Sequence, residues 1–259
     1  MVELSPILQA TDLALSFGGT KALRGVSFSV NEGELFAVIG PNGAGKTSIF
    51  NCISGVYKPQ EGSIVFADQE LIGLTPEKIA HLGVSRMFQN IELFDNLTVL
   101  DNLMLGRGSH MDYSVLSSFL FTPKVRRQEV ENRAVVEDII DFLDIESYRT
   151  FPVGMLPYGV KKRVELGRAL AMQPKLLLLD EPVAGMNVEE TEDMARFILD
   201  VRSEMGISMI LVEHDMGLVM DLADRVLVLD FGEQIALGTP EVVQADPNVI
   251  RAYLGEEVM

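Results

Sequence analysis

A glycine-rich stretch at residues 40–47 constrains this chain more than any other part of its sequence. It reads Gly-Pro-Asn-Gly-Ala-Gly-Lys-Thr, follows a short run at residues 34–39 that is apolar after Glu34, and opens an amphipathic segment at residues 48–54. This order predicts a strand, a glycine loop and the first turn of a helix. Glycines allow backbone N–H groups to turn inward around a phosphate chain, and the helix N-terminus adds a positive dipole end. The stretch therefore predicts a phosphate-binding loop.

Two side chains at the end of this loop carry the chemistry that phosphate binding requires. Lys46 is placed to reach the β and γ phosphates of a nucleotide, and Thr47 to offer its hydroxyl to Mg²⁺. The alternative is a glycine-rich turn with a surface lysine, which leaves the flanking strand and helix unexplained. The residues predicted to line the nucleotide here are Gly40, Pro41, Asn42, Gly43, Ala44, Gly45, Lys46, Thr47 and Ser48.

The composition limits the class of protein. With 259 residues the chain can bury a full core, and its single cysteine, Cys52, cannot form an internal disulfide. It contains no apolar run of about 18 residues, which argues against a membrane span. Its formal net charge of −17 argues against a nucleic-acid partner, because affinity for nucleic acid depends on Lys and Arg side chains that neutralise phosphates.

An antiparallel β region is predicted before the loop. Residues 7–17 and 26–30 alternate between polar and apolar side chains, and the breaks at Gly18-Gly19-Thr20 and Arg24-Gly25 join them. If this hairpin folds back against a bound base, the ring of Phe17 can stack on adenine. The spacing alone leaves a second interpretation open, in which Phe17 is a core phenylalanine.

The middle of the chain is predicted to be almost wholly helical. A short apolar strand at residues 84–89 ends in Gln89, where a glutamine can meet a metal or a water. Residues 90–173 then have the pattern of a helical subdomain inserted between two parts of one sheet. An apolar patch at residues 113–121 either contacts a partner or membrane surface, or packs inside this subdomain. The main helices are predicted at residues 97–105, 124–143 and 159–172.

Three cations crowd the start of the last of these helices. Lys161, Lys162 and Arg163 lie two to four residues after Gly159, where the helix dipole already places positive charge. Two interpretations are open: the side chains point into water, where screening makes the cost small, or an anion docks at this helix end.

Two buried strands are predicted to deliver polar side chains to the same sheet edge. Lys175 opens a run that is apolar at residues 176–179 and is followed by Asp180 and Glu181, and Ser208 opens a second run that is apolar at residues 209–212 and is followed closely by His214. In an open α/β sheet, ligands bind at the carboxyl ends of the strands, which is also where the phosphate loop begins. Asp180 is therefore placed to hold Mg²⁺ through water, Glu181 to orient or deprotonate an attacking water, and His214 to donate to a γ-phosphate oxygen.

Together these residues resemble the nucleotide-binding subunit of an ATP-binding cassette (ABC) transporter, over essentially the whole chain. Residues 40–47 match the family's phosphate loop, Gln89 its Q-loop, residues 156–159 its signature, residues 176–181 its acidic strand and His214 its switch histidine. Phe17 falls where the family places its adenine-stacking aromatic residue. Segments that resemble the ATPases of branched-chain amino acid importers lie at residues 15–19, 97–103, 212–216, 238–240 and 252–256.

Three positions depart from the family pattern. Pro157 replaces the signature serine and Val160 its glutamine, so neither side chain can bond a phosphate. Asn187 stands where the family usually has the aspartate of its D-loop. We therefore expect the trans γ-phosphate to be held by backbone N–H groups around Gly159 and by Lys161, and Lys161→Ala to slow hydrolysis more than Lys162→Ala.

The resemblance implies an α/β fold, a P-loop NTPase of the ABC type with an N-terminal antiparallel β subdomain and an inserted helical subdomain. It implies one domain over residues 1–259, with a nucleotide-binding core at 1–89 and 174–240, a helical subdomain at 90–173 and a C-terminal helical cap at 241–259. It also implies ATP and Mg²⁺ as cofactors. The implied catalytic residues are Lys46, Gln89, Glu181 and His214, the metal ligands Thr47, Gln89 and Asp180, and the further nucleotide contacts Phe17, Tyr158, Gly159 and Lys161.

The partners implied are those of a transport complex. They are a second, homologous ATPase chain in a head-to-tail dimer, transmembrane permease subunits, and indirectly a periplasmic solute-binding protein, with no nucleic acid. The expected location is the cytoplasmic face of the inner membrane, held peripherally. Import of branched-chain or related hydrophobic amino acids is the first hypothesis. Import of another small solute, lipid or polysaccharide export, and a soluble cassette in DNA repair or translation are the alternatives.

Overall fold

The computed structural model of the chain describes residues 6–111 and 123–254, so the apolar patch predicted at residues 113–121 lies outside the described residues. The chain divides into two compact units. The first unit comprises residues 1–86, 175–182 and 195–259, and the second comprises residues 87–174 and 183–194.

Ten strands are described, and they form two sheets. The apolar runs of the sequence become the strands that are buried along their whole length. The strands are β1 (Pro6–Phe17), β2 (Thr20–Asn31), β3 (Leu35–Ile39), β4 (Glu61–Phe66), β5 (Gln69–Glu70), β6 (Val84–Met87), β7 (Leu176–Asp180), β8 (Ser208–Val212), β9 (Arg225–Asp230) and β10 (Glu233–Gly238).

The first sheet is antiparallel and has the strand order β2-β1-β4-β5, as the alternating pattern predicts. The sequence places a break at Arg24-Gly25, and this detail is wrong, because β2 continues through both residues. The register between β1 and β2 shifts here, between the pairs Leu13–Val26 and Ala14–Arg24. Gly25 has a φ of +82°, so glycine at this position permits a bulge inside the strand.

The second sheet has the order β10-β9-β3-β8-β7-β6. Strand β3 pairs in parallel with β8 and β9, and β7 pairs in parallel with β8. Strands β3, β7 and β8 are buried at every residue, which explains why their sequences are continuous apolar runs rather than alternating ones. Because these strands run the same way, the residues that follow each of them lie at one edge of the sheet.

Nine α-helices are described, and polar side chains fix the start of several. Thr75 caps the second helix, Thr98 and Asp101 form a capping box at the third, and Asp215 caps the seventh. No described helix is long and apolar enough to cross a bilayer. The helices are α1 (Lys46–Ile53), α2 (Pro76–Leu82), α3 (Val99–Gly106), α4 (Pro123–Phe142), α5 (Tyr158–Ala171), α6 (Val188–Met205), α7 (Met216–Leu222), α8 (Pro240–Gln244) and α9 (Pro247–Leu254).

The hydrophobic core of the first unit lies between its two sheets and α1. Phe28 of β2 stacks on Phe36 of β3 with ring centroids 5.4 Å apart. Helix α1 contributes Phe50 and Cys52 to the same cluster. Burial raises the pKa of the Cys52 thiol to about 12, so this side chain behaves as a small apolar core residue.

Candidate nucleotide-binding and hydrolysis site

The phosphate loop lies between β3 and α1, and its surroundings and backbone conformation require glycine at three positions. A Cβ added at Gly40 would lie 2.1 Å from the Leu229 carbonyl oxygen, and one at Gly45 would lie 2.6 Å from that of Ala22. Gly43 has open space around its Cα, but its φ of +80° disfavours any side chain. The loop is therefore packed on both flanks and open at its tip, where a phosphate chain would approach.

The start of α1 leaves its first N–H groups available to a ligand. Its N-cap is Gly45, which provides no side-chain cap, and its first turn holds no acidic residue. Lys46 is buried, and its Nζ donates to the carbonyl oxygens of Gly40 and Pro41 at 2.5 and 3.0 Å. The ammonium therefore lies inside the loop, where it would meet phosphate oxygens.

The donors predicted for Mg²⁺ in the first unit are hard oxygen ligands. Thr47 is exposed in the first turn of α1, beside the half-buried Ser48, and Asp180 lies at the end of β7. Among the described residues no cluster of three or more acidic, His or Cys side chains could hold a metal by itself. One hydroxyl and one carboxylate fit Mg²⁺, which usually keeps several waters and shares its site with substrate phosphates.

Asp180 has a partner that the sequence patterns did not reveal. Its Oδ2 lies 2.5 Å from Nη2 of Arg86, and the two side chains are only 4% and 9% exposed. Nη1 of Arg86 donates to Asn51 Oδ1 at 2.7 Å, and the guanidinium lies 5.4 Å from the centroid of the Phe50 ring. Arg86 thus joins β6, β7 and α1. The available signal was a charged residue inside the short apolar run at 84–89, which predicts a buried ionic partner.

Glu181 and His214 are brought together, as their positions after neighbouring strands predict. His214 Nδ1 lies 3.8 Å from Glu181 Oε2 and 3.7 Å from Glu213 Oε2. Glu181 has a φ of +48°, in the left-handed region that non-glycine residues rarely adopt, and its N–H donates to the Val212 carbonyl. Backbone strain of this kind is concentrated at functional sites. The arrangement lets a carboxylate and an imidazole act on the same small region.

Phe17 lies at the end of β1 with 49% of its surface exposed, so the core interpretation of this residue is wrong. Its ring makes an edge contact with Tyr57, with centroids 5.0 Å apart and planes at 70°. The hairpin it belongs to packs on the phosphate loop, since Ala22 of β2 adjoins Gly45. Stacking on adenine remains a prediction.

Gln89 belongs to the second unit, and its backbone is held there by the helix that carries the signature. Lys162 Nζ donates to the Gln89 carbonyl at 2.8 Å and to that of Phe88 at 3.5 Å. The interpretation in which the three cations point into water is therefore wrong for Lys162, which is fully buried. It fails because backbone carbonyls of residues 88 and 89 lie within reach of the ammonium. Consequently Lys162→Ala is not a neutral control for Lys161→Ala.

The signature residues Tyr158 and Gly159 begin α5 and face the segment at residues 183–194. Tyr158 Oη donates to the Ala184 carbonyl at 2.9 Å, and burial together with the charge of Glu165 raises the pKa of its phenol. A Cβ added at Gly159 would lie 2.4 Å from Glu190 Oε1, so glycine leaves room for that carboxylate at the start of the helix. The Glu190 carboxylate is thus an internal anion at the start of the helix that carries Lys161, Lys162 and Arg163.

The other cations of this helix start have backbone partners too. Lys161 Nζ donates to the Gly154 carbonyl at 3.3 Å, and Arg163 Nη1 approaches the carbonyls of Leu143 and Asp144 at 3.4 and 3.5 Å. Pro157 is the N-cap of α5 and provides no side-chain cap. The role of Lys161 toward a phosphate stays a prediction, as do those of Tyr158 and Gly159.

Asn187, which departs from the family pattern, caps α6. Its Oδ1 accepts from the Glu190 N–H at 3.0 Å, and Glu190 Oε2 accepts from the Asn187 N–H at 3.1 Å. This reciprocal pair is a capping box, which satisfies two N–H groups of the helix start. The asparagine therefore keeps a structural function of its own.

The predicted site residues divide between the two units. The loop residues, Phe17, Asp180, Glu181 and His214 belong to the first unit, and Gln89, Tyr158, Gly159 and Lys161 belong to the second. Charged residues near the site that no sequence pattern predicted are Arg86 and Glu213 in the first unit and Glu165 and Glu190 in the second. Lys162 was expected to be unusual, but its contact with the Gln89 carbonyl was not predicted.

Known proteins are similar in sequence to this chain over nearly its full length. Residues 23–184 match the ABC transporter family, and residues 233–258 match the branched-chain amino acid ATP-binding cassette transporter family. The high-affinity branched-chain amino acid transport ATP-binding protein BraF of Pseudomonas aeruginosa is 40% identical over 97% of this chain and 98% of its own length. The corresponding Escherichia coli K12 protein, LivG, is 39% identical over the same shares.

Solved structures agree with this assignment. A nucleotide-free ATP-binding cassette from an ABC transporter is 32% identical, with a TM-score of 0.83 over 96% of this chain and 99% of that chain. A cassette in its ADP conformation is 33% identical, with a TM-score of 0.84 over 97% and 99%. The predicted fold class is thereby confirmed. The chain belongs to the ABC transporter family, as an ATP-binding, ATP-hydrolysing transport subunit whose C-terminal segment is of the branched-chain amino acid type.

Proposed function

We propose that this chain powers the uptake of branched-chain or related hydrophobic amino acids. The observation that carries the proposal is the 40% identity, over 97% of the chain, to a protein named for high-affinity branched-chain amino acid transport. The match of residues 233–258 to a family of the same name supports it independently of the catalytic residues. Those residues would be the same in an exporter, so they do not decide the direction of transport.

The geometry of the first unit supports separate roles for its residues in ATP hydrolysis. The loop N–H groups and Lys46 bind the β and γ phosphates, which places the terminal phosphorus for in-line attack. Glu181 orients and polarises the attacking water, and His214, within 4 Å of it, contacts the γ-phosphate. Thr47, Asp180 and Gln89 would hold Mg²⁺, which supplies neutralisation of the phosphate charge.

The second half of each ATP site comes from another ATPase chain. The start of α5, with Tyr158, Gly159 and Lys161, offers N–H groups and a cation to the γ-phosphate bound by the partner. We infer a head-to-tail pair with a homologous, different chain. ATP would hold the pair closed until hydrolysis lets it open.

The permease contacts the second unit on the cytoplasmic face of the membrane. Phe94, Phe151 and Met155 are exposed apolar side chains in this unit. They lie on two segments that pair with each other, since Thr98 bridges to Pro152 and the Gly154 N–H donates to the Asp95 carbonyl. An apolar surface on paired segments fits a membrane-embedded partner that the chain must move.

Glu181→Gln tests the proposed chemistry. The amide keeps the shape of the side chain but cannot accept a proton, so steady-state hydrolysis should fall by about 100-fold or more while ATP still binds. ATPase rate and nucleotide affinity of the purified complex are the measurements, with Glu233→Gln as a distant control of the same charge change. Normal turnover by Glu181→Gln would remove Glu181 from the mechanism.

Reconstitution tests the transported solute. The complex with its permease and binding protein in vesicles should take up leucine, isoleucine or valine when ATP is present on the cassette side. Uptake of an unrelated solute alone, or ATP-driven movement of lipid or polysaccharide outward, would contradict the proposal.

A further inference from the structure

Helix α5 carries three charged side chains, at every third position, that all bind the backbone of one segment, residues 88–92. Lys162, Glu165 and Arg168 are spaced by three residues and therefore share a face of the helix. Lys162 Nζ donates to the Gln89 carbonyl at 2.8 Å, Glu165 Oε1 accepts from the Glu92 N–H at 3.4 Å, and Arg168 Nη1 donates to the Glu92 carbonyl. We call these contacts the α5 ladder.

Two of the three charges of the α5 ladder are removed from water, and the third, that of Arg168, is half-buried. Lys162 and Glu165 are 0% and 1% exposed, and their charged groups lie 3.6 Å apart. Burial raises the pKa of the Glu165 carboxyl and lowers that of the Arg168 guanidinium, and their opposite charges oppose both shifts. Apolar side chains of similar volume at such positions are often neutral or stabilising. Stability alone therefore does not explain why this face of α5 is charged.

The α5 ladder joins two parts of the chain that, in the proposed function, contact different ATP molecules. Gln89, held at its carbonyl, is the proposed ligand of the metal in the chain's own site. Gly159 and Lys161, within one turn of Lys162, are the proposed contacts to the γ-phosphate in the partner's site. Hydrogen bonds to backbone atoms do not depend on the rotamer of Gln89, so they fix the path of the segment itself.

We propose that Lys162 is a positioning residue, which holds the Gln89 segment against the signature helix so that the two move as one body. This inference rests on the proposed function. Displacement of Gln89 at one ATP would then move the helix start that completes the other, and loss of the ammonium would uncouple them.

Three substitutions isolate this role. Lys162→Met keeps the length of the side chain and removes the donor, and Lys162→Arg keeps a cation that can still donate. Arg163→Met is the matched control, because it removes the neighbouring cation, whose hydrogen bonds go to the carbonyls of Leu143 and Asp144. If Lys162→Met leaves Glu165 uncompensated and unfolds the chain, the double variant Lys162→Met/Glu165→Gln removes both buried charges together and carries the test.

Hydrogen exchange of the full-length chain is the first measurement. In Lys162→Met the amides of residues 89–92 should exchange about five- to tenfold faster, as expected for the loss of one hydrogen bond, and Arg163→Met should leave them unchanged. Unchanged exchange in Lys162→Met would overturn the proposal, whatever the activity of the complex.

The ATP dependence of hydrolysis by the assembled complex is the second measurement. Lys162→Met should lower kcat about tenfold with KM within about twofold, because Lys46 and the loop still bind ATP while Gln89 is misplaced. Lys162→Arg should restore kcat to within about twofold. Faster exchange with a normal kcat, or a low kcat that arginine does not restore, would return Lys162 to a packing role. A wild-type complex without ATPase activity would instead contradict the proposed function and leave the exchange result intact.

Discussion

The side chain of Arg86 shows how one residue can fix the position of a carboxylate, that of the proposed metal ligand Asp180. It lies in β6, yet it contacts Asp180 of β7 and Asn51 of α1. The phosphate loop precedes α1, and Asp180 is a proposed metal ligand. The guanidinium thus connects the two groups that would flank a bound Mg²⁺, and it balances the buried carboxylate when no metal is present.

Removal of Arg86 should therefore be costly. Arg86→Gln leaves the Asp180 carboxylate buried without its counterion, and we expect the free energy of unfolding to fall by about 3 to 5 kcal/mol. Denaturant unfolding of the full chain measures it. The matched control is Arg24→Gln, whose ion pair with Glu233 is 3.1 Å long but 45% and 58% exposed, and which should cost about 1 kcal/mol or less. Equal losses for the two variants would show that the Arg86 pair is screened like a surface pair.

At the scale of the element, Asn187 explains how a departure from the family pattern can be tolerated. The asparagine oxygen and the Glu190 carboxylate cap the first turn of α6, so the residue has a role that does not involve nucleotide. Asparagine and aspartate are about equally good at this position of a helix.

Two substitutions test the capping role. Asn187→Ala should lower the free energy of unfolding by about 1 kcal/mol, because one N–H at the helix start loses its acceptor, whereas Asn187→Asp should change it by a few tenths of a kcal/mol at most. Thermal or denaturant unfolding distinguishes them. A loss of similar size in both variants would place the importance of the asparagine elsewhere, for example in its amide group.

The elements themselves were largely predictable from sequence, because periodicity and glycine positions report local structure. The strand, loop and helix around residues 35–53, the buried strands β7 and β8, and the long helices α4 and α5 all follow from their patterns. The break predicted at Arg24-Gly25 was wrong because a bulge and a turn use glycine in the same way. Sequence spacing cannot tell them apart without the partner strand.

The contacts between charged side chains were not predictable in the same way. Arg86 and Asp180 are 94 positions apart, and Lys162 is 73 positions from Gln89. Such pairs depend on which strands and helices become neighbours. The cations of α5 are unusual because they lie at the positive end of the helix dipole, and this can be seen from sequence. Their partners are backbone carbonyls, which every residue has, so no sequence motif predicts them.

At the scale of the whole molecule, the formal net charge of −17 bears on how two such chains associate. Two copies, or two chains of similar charge, repel one another. The repulsion extends over about one Debye length, which shortens as salt is added. Salt at about 0.01 M gives a Debye length of about 30 Å, and at about 0.15 M one of about 8 Å. ATP-driven pairing must overcome this repulsion.

We therefore expect pairing to strengthen with salt. Two copies of the Glu181→Gln variant provide a pair of known like charge, whichever chain is the partner in the complex. In saturating ATP and Mg²⁺, the fraction of this variant that pairs with itself should rise between about 0.01 and 0.15 M NaCl, as measured by light scattering after size exclusion. The double variant Glu181→Gln/Lys46→Ala, which lacks the loop cation, should remain single at every salt concentration. Pairing that weakens as salt is added would mean that attraction between opposite charges dominates the interface.

The burial of Cys52 gives the chain a practical property. Its thiol is the only one in the sequence, lies in the core beneath the phosphate loop, and has its pKa raised to about 12. Maleimides and spin labels react with the thiolate of an accessible cysteine, so they should not react with the natural protein. A single cysteine introduced on the surface would then carry the label alone, so that spectroscopy during turnover would report on one chosen position in an otherwise unmodified chain.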